Sequence, residues 1–321
     1  MREMGMPSPW IRSAGKRADA AVRSRTRCRF ALAVAALALG NGACGSGGDN
    51  GAPQMVAVLS AIPAEGAAVV EQATVNDTTE INGRTFRIGT LGGVPVIMGL
   101  TGIGLVNAAT TTGALLDRFP LTGVIVSAVA GSTVQIGDVV VPDRWELADG
   151  TSYPADPHWL KLASRIAASG HVALAQCTVP ASAPEDGQVC FPDVPVITVG
   201  GVGQSSDPFN GMAFLCTDGP VFGCDVSDAG AAPQPSVRGR LALTGADDGT
   251  PIVTDMETAA IAGQAVLRGI PFIAFRAVSD GAGDPLGDRG FPAQFFDYYP
   301  LSAQNAAAAT VAFLERLASH R

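Results

Sequence analysis

Residues 254–283 read TDMETAAIAGQAVLRGIPFIAFRAVSDGAG. Residues 255–268 are helical in pattern: Ala, Ile, Val and Leu dominate, with acids confined to the start. Gly269 and Pro271 then break the helix. Residues 270–278 (IPFIAFRAV) form a short, nearly continuous apolar run, the pattern of a strand buried on both faces. Asp280 follows that strand and faces a glycine-rich stretch. Helix, buried strand and terminal carboxylate in this order predict an α/β unit. In such sheets ligands bind beyond the carboxyl ends of the strands.

Working outward, residues 56–62 (VAVLSAI), 123–129 (GVIVSAV), 137–142 (GDVVVP) and 195–200 (PVITVG) read as further buried strands. Residues 85–91 and 94–100 read as a hairpin around Gly92-Gly93. Residues 107–119, 157–169 and 302–319 are helical in pattern, and Ala130-Gly131 reads as a turn after strand 123–129. Residues 201–250 are rich in Gly, Pro, Asp and Ser without a period. They read as an inserted or remodelled loop within one domain at 55–321. Apolar strands alternating with helices predict an α/β fold whose sheet is covered on both faces.

The chain has 321 residues, of which 47% are hydrophobic and 16% charged. That composition can bury a core and excludes a disordered chain. The formal net charge is -8, but residues 1–44 hold eight Lys/Arg and two acids. Beyond them stand 13 basic and 27 acidic residues, a net of -14. An acidic globular part lacks the basic footprint that nucleic acid requires.

The basic residues cluster for a reason of their own. Arg23, Arg25, Arg27 and Arg29 precede residues 30–40 (FALAVAALALG), an apolar run too short for a bilayer span of ~20 residues. A basic segment, a short apolar run and small residues form an export signal. Gly42-Ala43-Cys44 before GSGGDNGAPQ is similar to a bacterial lipoprotein cleavage site. Residues 1–44 are therefore expected to be a lipoprotein-type signal peptide with Cys44 lipidated, and residues 45–54 a flexible tether. The expected location is the periplasm or cell surface, with plain secretion as the alternative. A lipid anchor would be the only membrane contact. Cys177, Cys190, Cys216 and Cys224 form an even set, which in an exported chain suggests two disulfides. Three pairings are possible; the preferred one, 177–190 with 216–224, closes short loops. No C-x-x-C occurs, and His158, His171 and His320 are scattered, so no metal site is expected.

Three strand ends carry acids. Glu65 follows the first strand, Glu257 is the only charge between Met256 and Arg268, and Asp280 ends the last strand. Each has an ordinary reading as a helix cap or turn residue. Taken in order, however, LSAIPAE (59–65), TGIG (101–104), Val129-Ala130-Gly131, IGDVVVP (136–142), TDMETAAIA (254–262) and PFIAFRAVSDGAG (271–283) resemble one family. It is the nucleoside phosphorylase/nucleosidase superfamily, nearest the 5'-methylthioadenosine/S-adenosylhomocysteine nucleosidases and their exported relatives.

The resemblance implies a three-layer α/β/α sandwich with a mixed, mostly parallel sheet, no cofactor, a small-molecule nucleoside substrate and a homodimer. It assigns Asp280 to protonating the leaving base and Glu65 to orienting the attacking water. Glu257 would hydrogen-bond the ribose hydroxyls, Met256 would pack on the sugar, and Phe209 would stack on the base. Thr101 would stand near the water, Ala130 and Gly131 would line the sugar and base, and Gly102 and Ser279 are further expected substrate-binding residues. Residues 51–82 contain no Arg, and Glu65 would repel phosphate, so water is the expected nucleophile. A phosphate-dependent phosphorylase is one alternative. A non-catalytic nucleoside-binding or storage lipoprotein is another, motivated by Val129 in the SAVAG turn and by the long loop.

Overall fold

The computed structural model describes residues 54–230, 252–288 and 290–320. The expected signal peptide, Cys44, nearly all of the tether and residues 231–250 of the expected loop lie outside the described residues. The chain opens with β1 (Met55–Ser60), α1 (Pro63–Val70), β2 (Thr74–Ile81), β3 (Arg84–Leu91), β4 (Val94–Leu100), α2 (Leu105–Arg118) and β5 (Leu121–Gln135). The middle holds β6 (Val139–Val141), β7 (Arg144–Leu147), β8 (Ser152–Pro154), α3 (Pro157–Ser169), β9 (Cys177–Thr178), β10 (Val189–Cys190), β11 (Ile197–Val199) and β12 (Val202–Ser205). It closes with β13 (Ile252–Asp255), α4 (Thr258–Leu267), β14 (Phe272–Ala282) and α5 (Ala293–Ala318).

The main sheet runs β2-β3-β4-β1-β5-β13-β12-β7-β8, with β14 against both β5 and β6 and β11 against β6. Its centre is parallel: β1 pairs β4 and β5, and β14 pairs β5, all in the same direction. Antiparallel pairs join β2 to β3, β3 to β4 and β13 to β5. The sheet is thus mixed and mostly parallel at its core, as the family resemblance implied.

Two apolar layers sandwich it. Along β1, Val56 and Val58 face the core shared with Trp159 of α3 and Phe313 of α5, while Ala57 and Leu59 face the core shared with Leu115 of α2 and Ile261 of α4. This alternation of buried residues on both faces is what made β1 read as a continuous apolar run. The expected hairpin turns at Gly92 and Gly93, whose φ angles of 55° and 77° glycine adopts freely. The disulfides pair Cys177 with Cys190 and Cys216 with Cys224.

Several boundaries differ from expectation. Ala130 and Gly131 are not a turn; they lie inside β5, which runs on to Gln135. There β5 changes neighbours, with Gly131 pairing Thr254 of β13 and Asp280 of β14. The stretch read as one loop at 201–250 begins with β12, which pairs β7 and β13. Asp255 and Glu257 precede α4 rather than open it, since Glu257 has φ -136° and ψ -43°. The final helix starts at Ala293 despite an internal Pro300. β2 escaped the sequence because six of its eight residues are exposed: it is a polar edge strand.

Tight packing under the sheet gives a test. A Cβ on Gly123 in β5 would run into the Trp159 indole. Gly123→Ala should destabilise the fold by about 1–3 kcal/mol through overpacking. Urea denaturation reads this; an unchanged midpoint would refute the contact.

Candidate active site

Strands β1, β4 and β14 run in the same direction as β5; near their carboxyl ends Leu59 of β1 lies opposite Val126 of β5 and Asp280 of β14 opposite Gly131. A cavity of about 270 Å³ opens there. Glu65, Ala130, Gly131, Phe209, Met256, Glu257, Ser279 and Asp280 all line it. Residues separated by up to 215 positions in the chain thus converge, because parallel topology puts strand ends together. Thr101 and Gly102 do not reach the cavity wall. Thr101 is fully buried, its hydroxyl 3.2 Å from the Ser60 carbonyl, and Gly102 packs against the Arg84 guanidinium.

Glu65 lies in the first turn of α1, and its carboxylate accepts from Ala61 N (2.8 Å) and Ile62 N (3.1 Å). The ordinary reading, a solvated acid in a helix's first turn, has the position right but not the solvation, since Glu65 is buried. The other oxygen crosses to β5 and accepts from Val129 N at 2.8 Å. A carboxylate has about four acceptor positions; the three backbone N–H groups leave room for one more donor from the cavity. Burial raises the Glu65 pKa, opposed by Arg276 and by these N–H groups.

Glu257 immediately precedes α4, and its carboxylate turns away from the helix end instead of capping it. Its Oε1 accepts from Gly104 N at 2.9 Å, tying the TGIG turn to the helix. Burial and then the Asp255 charge push its pKa up, against Arg276. Asp280 sits where β14 shifts register against β5. A Cβ on Gly131 would lie 2.6 Å from Asp280 Oδ2, so only glycine lets this carboxyl pack so closely. The Ser279 hydroxyl is 2.8 Å from Asp280 Oδ1. Burial raises the Asp280 pKa and that hydroxyl only partly offsets it.

Beneath these acids lies Arg276, which is 1% exposed and was missed by sequence reasoning. Its guanidinium donates to Asp255, to Thr258 Oγ1 and to the Val129 carbonyl at 2.8 Å, and stands 3.5 Å from Glu257. Burial works against its charge, but Asp255, Glu257 and Glu65 outweigh that and raise its pKa. The available signal was a lone cation in an otherwise apolar strand. Asp255, also missed, accepts from Arg276, Ser205, Thr258 and the N–H of Glu257, so it anchors the frame. Thr254 lines the cavity with a buried hydroxyl that has no hydrogen-bond partner among the described residues, a position for a ligand or water to fill. Phe214, Val221, Phe222 and Phe295 complete an apolar wall that no motif announced. Among the described residues no group of three or more His, Cys, Asp or Glu is arranged to hold a metal ion.

A family model described as the phosphorylase superfamily matches residues 55–315. The chain belongs to that superfamily. Among relatives of this phosphorylase-superfamily chain is an uncharacterized protein of Mycobacterium tuberculosis, 34% identical over 223 residues, covering 60% of this chain and 86% of its own. A 5'-methylthioadenosine/S-adenosylhomocysteine nucleosidase of Tolumonas auensis is 27% identical over 269 residues, covering 82% of this chain and 99% of its own. Of solved structures, the Neisseria meningitidis nucleosidase of the same name, in complex with methylthio-immucillin-A, superposes with a TM-score of 0.55 at 20% identity. It covers 82% of this chain and 99% of its own. Futalosine hydrolase of Helicobacter pylori gives 0.56 at 19%, covering 82% and 97%. These structural likenesses establish the shared fold.

The ion cluster predicts its own fragility. Arg276→Met leaves buried acids without their counter-charge and should cost about 3–5 kcal/mol. Thermal and urea unfolding measure this; a loss under about 1 kcal/mol would mean that the acids do not depend on this cation.

Proposed function

We propose that this chain is a purine nucleosidase that hydrolyses the N-glycosidic bond of an adenine-type nucleoside with water as the nucleophile. The observation that carries the reading is three carboxyls, the buried Glu65 and Glu257 and the half-buried Asp280, on one cavity whose described lining holds no Lys, Arg or His. The similarity to 5'-methylthioadenosine/S-adenosylhomocysteine nucleosidases supports the same reaction class.

The chemistry follows from where charge develops. Breaking the bond between the ribosyl carbon and the base nitrogen leaves positive charge on the sugar and negative charge on the base. Asp280, with its raised pKa, donates a proton to the departing base. Glu257, placed between the TGIG turn and Met256, takes the ribose hydroxyls and stabilises the cationic sugar. Glu65 uses its remaining acceptor position to orient water. That oxygen bonds to the ribosyl carbon and its proton passes to the carboxylate, so free base and free sugar result.

Phosphate is a poor fit. Arg276 is committed to Asp255, Thr258 and Val129, and Arg84 packs on Gly102 away from the described cavity lining. Arg276 therefore has no free bidentate fork of the kind that phosphate recognition uses, and Arg84 is not part of the described lining. The proposal extends to an exported, lipid-anchored homodimer. Two disulfides in the folded part support the exported state, because oxidising compartments are where such bonds persist.

Asp280→Asn should lower kcat for adenine release from 5'-methylthioadenosine by about 10²–10⁴-fold while binding is retained. In the parent, activity should fall as pH rises through the raised Asp280 pKa, because the acid form is the working one. The substitution should remove that alkaline limb. Release that requires phosphate, or an Asn variant of unchanged kcat, would sink the mechanism.

A further inference from the structure

The cavity lining is chemically mixed: it combines the carboxyls of Glu65, Glu257 and Asp280 with the apolar side chains of Ile62, Phe214, Val221 and Phe222. Val221 and Phe222 lie inside the short ring that the Cys216–Cys224 disulfide closes, a separation of 8 residues. A small covalent ring has few conformations to lose, so these two side chains are presented in a fixed position.

The ring is also fastened from outside. The Pro220 carbonyl accepts from Ala64 N at 3.0 Å, next to Glu65 on α1. Asn107 of α2 donates to the Phe214 carbonyl at 2.7 Å. Arg87 of β3 pairs with Asp225 at 2.7 Å, just past the ring. Asp228 accepts from the N–H groups of Cys224 (2.9 Å) and Asp225 (3.0 Å), closing the turn. Inside the cavity, Phe214 packs against Phe209 and Phe222, with ring centroids 5.1 Å and 5.9 Å apart.

We propose that the ring closed by Cys216 and Cys224 is the specificity wall for the 5' substituent, selecting nucleosides whose 5' group is uncharged and apolar. This rests on the nucleosidase reading. With the base at Asp280 and the ribose hydroxyls at Glu257, the 5' carbon is the substituent left to meet the ring. A thioether or hydrocarbon group there gains burial against Val221 and Phe222. A phosphate or an amino-acid tail would bring charge into a wall with no described cation or anion to pair it, which is strongly unfavourable. Phe222 is thus a specificity-determining residue, and the disulfide a positioning device for it.

The test compares adenosine, 5'-methylthioadenosine and S-adenosylhomocysteine. Adenine release and calorimetric binding are both measured, on the parent protein, on Phe222→Ala and on the double variant Cys216→Ser with Cys224→Ser. The parent should favour 5'-methylthioadenosine over both others by about tenfold or more in kcat/KM and in affinity. Phe222→Ala should lose about tenfold for 5'-methylthioadenosine and stay within about twofold for adenosine. The double variant should move in the same direction; if circular dichroism shows it unfolded, Phe222→Ala decides. Equal losses for all three compounds, or a parent that handles S-adenosylhomocysteine as well as 5'-methylthioadenosine, would overturn the proposal. Binding in the expected order without any adenine release would refute hydrolysis and leave the wall standing. Release without that order would do the reverse.

Discussion

The positive charge of Arg276 is shared among Asp255, Glu257 and Glu65, all of them buried. Each acid alone would be costly to hold in a dry interior. Gathered around one guanidinium, they share a counter-charge that opposes this cost. Burial nevertheless raises the pKa of Glu65 and of Glu257, and for Glu257 the Asp255 charge adds to the rise. The same cation bonds the Val129 carbonyl and Thr258, so it also fixes β5 and α4 relative to β14. Structural cement and electrostatic tuning are one interaction here.

The parallel core was legible because its strands are apolar on both faces and short, and α3 was legible to the residue because Asp156, Pro157 and Gly170 mark its ends. What stayed hidden had weak local signals. β2 is polar because it is an exposed edge, and β12 and β13 are four residues each, beside a glycine-rich stretch. Ala130-Gly131 mimics a turn in sequence, yet in space β5 continues, because β13 and Asp280 supply new neighbours at that point.

The site divides the same way. Glu65, Glu257 and Asp280 stood out as charges at strand ends. Arg276 did not, because a buried cation in a strand shows its partners only in three dimensions. The apolar wall was equally invisible: Phe214 and Phe222 come from a segment without a period, and Phe295 from a helix turn that precedes Pro300. Thr101 and Gly102 belong to a conspicuous motif, but its contribution to the cavity comes through Ile103 and through the N–H that Gly104 gives to Glu257.

Val129 departs from the small hydroxyl residue that the family resemblance suggests at that position. Its N–H serves Glu65 and its carbonyl serves Arg276, while the residue both lines the cavity and packs in the apolar core. Every residue except proline supplies those two backbone groups. Position 129 is therefore a place where the shape of the chamber can drift, or be redesigned, while the charged frame behind it keeps its wiring.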